Sequence, residues 1–298
     1  MVFHSPVAIF AKAGETGKYR AALPAWNMVL RGFLAGSFIA MGCALATMCS
    51  TGIVAGASAV KDTPALAYGM SSAGVGQLVM GVVFPVGLFL VVITGAELFA
   101  GDAMLSPLAA FTRKTGGIGV VNLWVWVFIG NFIGAVFWAY LMANGPFIGF
   151  DSTGTAMVNT YGAHAIGIAA AKTGYAGGMG FWSAFLRGIG GIWLVNLAVL
   201  FGICADNLAG RILGIWVAAM AFIALGLEYV VANMYFIAAG ILTQGFLTDQ
   251  TKVAAGVNWL SMWTSNLIPV ALGNIVGGLV FFGALYWVAF RKEIAALK

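Results

Sequence analysis

The chain has 298 residues, of which 62% are hydrophobic and 8% charged, with a formal net charge of +5 and a mean hydropathy of +1.00. So few charges cannot cover a water-facing surface, which excludes a soluble globular domain and predicts an integral membrane protein. The basic residues stand at the ends of apolar segments rather than clustered among exposed aromatics, so they read as topology signals and not as a nucleic-acid interface.

In chain order, the first twenty residues are polar and mixed, without the basic start, short apolar core and small-residue cleavage site of a secretion signal. Residues 1–27 are read as a cytoplasmic N-terminal segment carrying a short amphipathic helix on the membrane surface. GETGK at 14–18 has part of a phosphate-loop pattern, but Lys12 stands where that motif needs glycine and no strand precedes it. Apolar runs of membrane-crossing length follow at 32–54, 77–110, 120–143, 181–205, 212–242 and 266–290. Six spans are therefore predicted, in a single membrane domain covering 1–298. The second run holds Glu97 and Asp102 and the fifth Glu228 and Asn233. Both are too long for one simple span, so both are read as helices broken inside the membrane. Cys43, Cys49 and Cys204 lie in apolar stretches without metal-site spacing and are read as packing thiols. With the N-terminus inside, ten Lys and Arg fall on the inner side and three, Lys61, Lys172 and Lys252, on the outer, with Arg187 unassigned at the start of the fourth span. That bias predicts a multi-pass protein of the cell membrane with both termini cytoplasmic.

GAELFAGDAM at 95–104 aligns without gaps on GLEYVVANMY at 226–235, pairing Glu97 with Glu228 and Asp102 with Asn233. Leu30-Arg31-Gly32 pairs with Leu186-Arg187-Gly188, and Gly130-Asn131 with Gly273-Asn274, each of the latter opening a GxxxG. The chain reads as two three-span repeats, about 28–143 and 181–291. An odd number of spans per repeat turns the second upside down, which is the arrangement of transporters and channels, with the broken helices meeting near the midplane. Glu97 and Glu228 either cap freed backbone N–H groups or face a substrate. Asn131 and Asn274 either bond between helices or line a pore, Asn274 being the stronger pore candidate.

AKAGETGK at 11–18, LRGFLAGSFIAMG at 30–42, FPVGLFLVVITGAELFAGD at 84–102, AFLRGI at 184–189, LEYVVANM at 227–234 and NLIPVALGNIVGG at 266–278 together resemble the formate/nitrite transporter family over nearly the whole chain. The resemblance implies an all-α, aquaporin-like six-span protomer, a homopentamer with one pore per protomer, and passage of small monovalent anions. It implies that the broken second helix gates the cytoplasmic side and that two apolar constrictions, on Leu88, Leu98, Phe99, Val195 and Phe222, flank a central polar site. The basic residue of the outer vestibule is Lys172, or Ala176 takes that place if the alignment is left ungapped. Three positions depart from the family pattern: Tyr229 replaces a central histidine, Ala100 a threonine in the second-helix loop, and Ile192 an asparagine before Trp193. The histidines of this chain, His4 and His164, lie elsewhere.

A bare anion in an apolar constriction loses several kcal/mol of solvation, whereas its neutral acid loses far less. Tyr229, with an ordinary pKa of about 10, is a poor proton shuttle near neutral pH but a competent hydrogen-bond donor. Tyr229 and Asn274 are therefore expected to bond the passing carboxyl group while Glu228 fixes the loop. Tyr229 packing sideways into the bundle is the alternative. Formate is the expected substrate; nitrite, hydrosulfide, another short-chain monocarboxylate, and a non-conducting regulatory homologue stay open, as does channel against proton-coupled transporter. The sequence carries no catalytic constellation, metal cluster or cofactor fingerprint, so neither an enzyme nor a bound cofactor is expected.

Overall fold

The computed structural model describes residues 4–53, 69–247, 253–254 and 256–296. Lys61, Lys252 and Lys298 of the charge count lie outside the described residues. The chain forms α1 (Pro6–Ala21), α2 (Ala25–Ser50), α3 (Gly69–Val83), α4 (Pro85–Thr94), α5 (Phe99–Phe111) and α6 (Gly117–Ala143). A short antiparallel hairpin follows, β1 (Ile148–Phe150) on β2 (Ala156–Val158), with Gly149 opposite Met157. Then come α7 (Thr160–Thr173), α8 (Gly177–Cys204), α9 (Leu208–Ala224), α10 (Val230–Gln244) and α11 (Trp259–Ala296), the last containing two π-helical stretches. Apart from the hairpin the described fold is all-α.

Six spans result: α2; α3 and α4 continued by α5; α6; α8; α9 continued by α10; and α11. The second and fifth are broken as expected. Each first half ends on a glycine with positive φ, Gly95 at 74° and Gly226 at 65°, a conformation open to a residue without Cβ. Each second half begins only after three non-helical residues. The first span starts at Ala25 rather than 32, because Arg31 is held by partners inside the protein and does not mark a helix end. The last starts at Trp259, where Asn258 and Ser261 form a capping box.

The two halves repeat each other bond for bond. Glu97 N–H donates to the Arg31 carbonyl and Glu228 N–H to the Arg187 carbonyl, both at 3.2 Å. Asn131 Oδ1 accepts from Phe99 N–H and Asn274 Oδ1 from Val230 N–H, both at 3.0 Å. Asn131 Nδ2 donates to the Gly32 carbonyl and Asn274 Nδ2 to the Gly188 carbonyl, both at 2.8 Å. The repeats are inverted three-span units, as the odd span count requires. Glycines set the close crossings: a Cβ at Gly130 or Gly134 would overlap the α2 backbone at Val29 and Phe33, and a Cβ at Gly273 would overlap the Phe185 carbonyl of α8.

The N-terminal helix differs from its expectation. α1 does not lie free on a membrane surface; Ile9, Phe10, Ala13, Gly14 and Gly17 are buried against α5 and α11. A Cβ at Gly17 would overlap the Leu105 carbonyl, so this glycine permits the docking. α7 packs on α10 much as α1 packs on α5, so each repeat carries a preceding helix that the span count did not include. The cysteines are free, Cys43 buried, Cys204 half-buried and Cys49 exposed.

Candidate functional site

The two helix breaks use the same parts for the same local reason. An unwound stretch frees backbone groups that lipid cannot satisfy, and a buried asparagine returns them. Asn274 spends its Oδ1 on Val230 N–H and its Nδ2 on the carbonyls of Gly188 and Glu228, the latter at 3.3 Å. Both of its amide hydrogens are therefore used by the fold, and of the two uses open to it the structure displays interhelical bonding. Asn131 does likewise for the first break, adding the Glu97 carbonyl at 3.0 Å.

The acids after the glycines face cations. At the first break Arg20, from α1, places Nε 2.8 Å from Glu97 Oε2 and Nη1 2.9 Å from Asp102 Oδ1, while Arg31 reaches Glu97 Oε1 at 3.3 Å. At the second, Glu228 accepts from Lys172 Nζ and from the Tyr175 hydroxyl, each at 2.9 Å, and from Asn233 Nδ2 through a short bond. Asn233 also donates to Asn266 Oδ1 at 2.8 Å, and Asn266 donates to the Lys172 carbonyl at 3.0 Å. This network ties α7, α10 and α11 together around the break. Tyr175 lies in the linker between α7 and α8, where burial and the adjacent Glu228 carboxylate push its phenol well up, so it acts as a neutral donor.

A cavity indents each end of this region. On the face bearing α1, about 180 Å³ is lined by Lys12, Arg20 and Arg211 together with Leu88 and Leu98. On the face bearing α7, about 290 Å³ is lined by His164, Lys172, Tyr175, Arg187, Glu228 and Phe236. Of the two positions weighed for a vestibule cation, Lys172 lines this cavity, while Ala176 caps α8. Val195, Phe222 and Tyr229 line neither cavity and are each 1% exposed. Phe222 stands edge-on to Phe84 at 5.2 Å and to Tyr229 at 6.0 Å.

Tyr229 and Leu98 hold equivalent positions, each the last extended residue before the second half-helix, with φ, ψ of −133°, 119° and −118°, 121°. The inverted repeat therefore sets a leucine on one side of the centre and a phenol on the other. The Tyr229 hydroxyl is buried and has no hydrogen-bond partner among the described residues. Asn233 Oδ1, an acceptor, and the Asn196 and Tyr235 side chains are also buried without a partner among the described residues; within the unwound segment itself the Tyr229 hydroxyl is the donor left over for a ligand.

Ala100 is fully buried in the first turn of α5, and Ile192 packs its Cγ2 against Gly277 of α11. The Phe99 ring meets Phe128 at 5.2 Å and Trp124 at 6.3 Å, on α6. The sequence reading left two cavity residues without a place there. Arg187 lies over the Tyr175 ring at 5.7 Å and donates to the Gly226 carbonyl, with no ion pair among the described residues, whereas the Lys172 charge is matched by Glu228. His164 lines the same cavity. The repeat was the signal that could have found Arg187, since its partner Arg31 also sits beside a break.

A sequence model described as "Formate/nitrite transporter" matches residues 7–288. The chain is 38% identical to a "Probable formate transporter" of Methanothermobacter thermautotrophicus, with 98% of each chain covered. Among solved structures it superposes on an "FNT family ion channel" with a TM-score of 0.74 at 26% identity, covering 94% of this chain and 98% of that one. A "Pentameric formate channel with formate bound" gives a TM-score of 0.69 at 28% identity, covering 90% and 98%.

Proposed function

The chain belongs to the formate/nitrite transporter family, and we propose from that premise that each protomer passes formate across the membrane through the axis joining the two cavities. It is a multi-pass membrane transport protein and not an enzyme. The α7 face is the outer one and the α1 face, with both termini, the cytoplasmic one, in accord with the excess of Lys and Arg on the α1 side. Five copies assemble as in the pentameric relative, with neighbouring protomers and lipid covering apolar faces such as Val121, Val125, Ile129 and Ile133 of α6.

The path follows from the charges and the apolar girdle. Arg187 and the Lys172–Glu228 pair hold the anion in the outer cavity, where it keeps much of its water. Moving inward it meets Phe222 and Val195, which can replace none of that water, so a polar group at the centre is needed to lower the barrier. The buried, unpartnered hydroxyl of Tyr229 is the single observation that carries this reading: it donates to the carboxylate or acid as it passes, in place of an imidazole. Leu98 and Leu88 form the second apolar step before the inner cavity.

Formate uptake into proteoliposomes of the purified protein, between about pH 5 and 8 and with or without an imposed proton gradient, tests this. Uptake is expected, and its dependence on the gradient distinguishes passage as formic acid from passage as the anion. Tight vesicles that take up no formate would sink the assignment and move it to another small solute or to a silent homologue.

A further inference from the structure

The outer cavity holds an imidazole that the path above leaves unused. His164, on α7, lines that cavity with Lys172, Arg187 and Glu228. Its Nε2 lies 3.1 Å from Ser50 Oγ of α2. The single proton of the Ser50 hydroxyl is directed to the carbonyls of Ala46 at 2.8 Å and Thr47 at 3.3 Å, so Ser50 Oγ accepts and Nε2 donates. That bond fixes the neutral tautomer and leaves Nδ1 to take up a second proton.

The surroundings decide what that proton does. From α3 and α10 the cavity receives Gln77 and Phe236, neither of which titrates. Lys172, on the same helix as His164, and Glu228, before α10, face each other at 2.9 Å and largely cancel. Tyr175, before α8, is neutral. Arg187 is left as the uncompensated charge among the described residues, so one added proton alters the cavity's net charge substantially.

We propose that His164 is a pH-dependent anion-capture residue of the outer vestibule, its protonated form adding a second uncompensated positive charge beside Arg187 and strengthening the hold on the carboxylate before it reaches the apolar steps. The inference rests on the transport reading above. The direction is set by burial, which pulls the imidazole below its ordinary range, so it is neutral at neutral pH and takes up its proton only below that range. Formic acid, with an ordinary carboxylic pKa of about 4, rises tenfold in concentration with each unit of falling pH, but that rise is common to wild type and His164→Gln and cancels in the ratio of their KM values. A unit charge about 8 Å from the anion, in a medium between water and a protein surface, strengthens capture about two- to sixfold. By linkage, bound formate raises the pKa of His164 by the logarithm of the same factor.

The test is histidine-labelled NMR of the full-length protein in nanodiscs, titrated in sulfate buffer with and without saturating sodium formate, using His4→Gln to assign the two imidazoles. Formate is expected to raise the His164 pKa and leave His4 unmoved; a His164 titration indifferent to formate overturns the proposal. In proteoliposomes, the KM for external formate should fall about two- to sixfold with acidification relative to His164→Gln, with equal maximal rates. His164→Lys should hold the low KM at every pH. A KM ratio between wild type and His164→Gln that is flat with pH overturns the proposal. If no variant transports formate, the transport reading fails while the NMR titration still decides whether His164 senses an anion.

Discussion

Replacing Tyr229 by phenylalanine separates a group that serves the substrate from one that serves the fold. The residue is 1% exposed, its ring packs edge-on to Phe222, and its hydroxyl has no partner among the described residues. Deleting one oxygen leaves the ring contacts in place and strands no protein donor or acceptor. A buried hydroxyl without a partner carries a desolvation cost of about 1–3 kcal/mol, so Tyr229→Phe should leave the fold unchanged or stabilise it by about 1 kcal/mol. A hydrogen bond from a neutral donor to a carboxylate contributes about 1.5–3 kcal/mol, which predicts a fall in formate flux of about ten- to hundredfold. The assay pairs thermal unfolding in detergent with initial uptake rates in proteoliposomes at matched protein density. Flux equal to wild type would refute the substrate role. A lowered Tm would show instead that the hydroxyl supports the fold.

Further changes probe the scaffold and the vestibule. Asn131→Leu and Asn274→Leu each remove three bonds to the backbone at a helix break, and each should cost about 3–5 kcal/mol in thermal unfolding; markedly unequal losses would argue against equivalent roles in the two repeats. Arg187→Gln should raise the KM for external formate about two- to sixfold at low ionic strength, with an unchanged Tm and a weaker salt dependence. Lys172→Met leaves the Glu228 carboxylate with Tyr175 and Asn233 alone, so it should lower both Tm and flux, the stability loss reaching about 3 kcal/mol. A normal Tm there would mean that the ion pair adds nothing net. Gly17→Val drives a side chain into the Leu105 carbonyl and should undock α1, read as protease sensitivity of the N-terminal segment without loss of the membrane bundle.

Much of this architecture lies in the sequence because its causes are local. Hydrophobic length fixes the spans, and the cost of polar groups in lipid marks Glu97, Asp102, Glu228 and Asn233 as the places where helices break. The 95–104 and 226–235 match reveals the repeat from residue order alone, and the odd span count then dictates its inversion. What each side chain does at the breaks is a different kind of information. Nothing local tells that Asn274 is consumed by three backbone bonds while Tyr229, seated where Leu98 sits in the other repeat, is left with a free hydroxyl. Nor does it tell that Phe99 turns to α6 or that Arg20, from a helix outside the spans, reaches both Glu97 and Asp102. Arg187 and His164 come to share a cavity with Lys172 only once α7 folds back over α10. Partition into the membrane depends on the composition of a segment, so the sequence by itself determined the spans; hydrogen-bond satisfaction and net charge in a cavity depend on which faces of distant helices meet, and only the tertiary structure decided those.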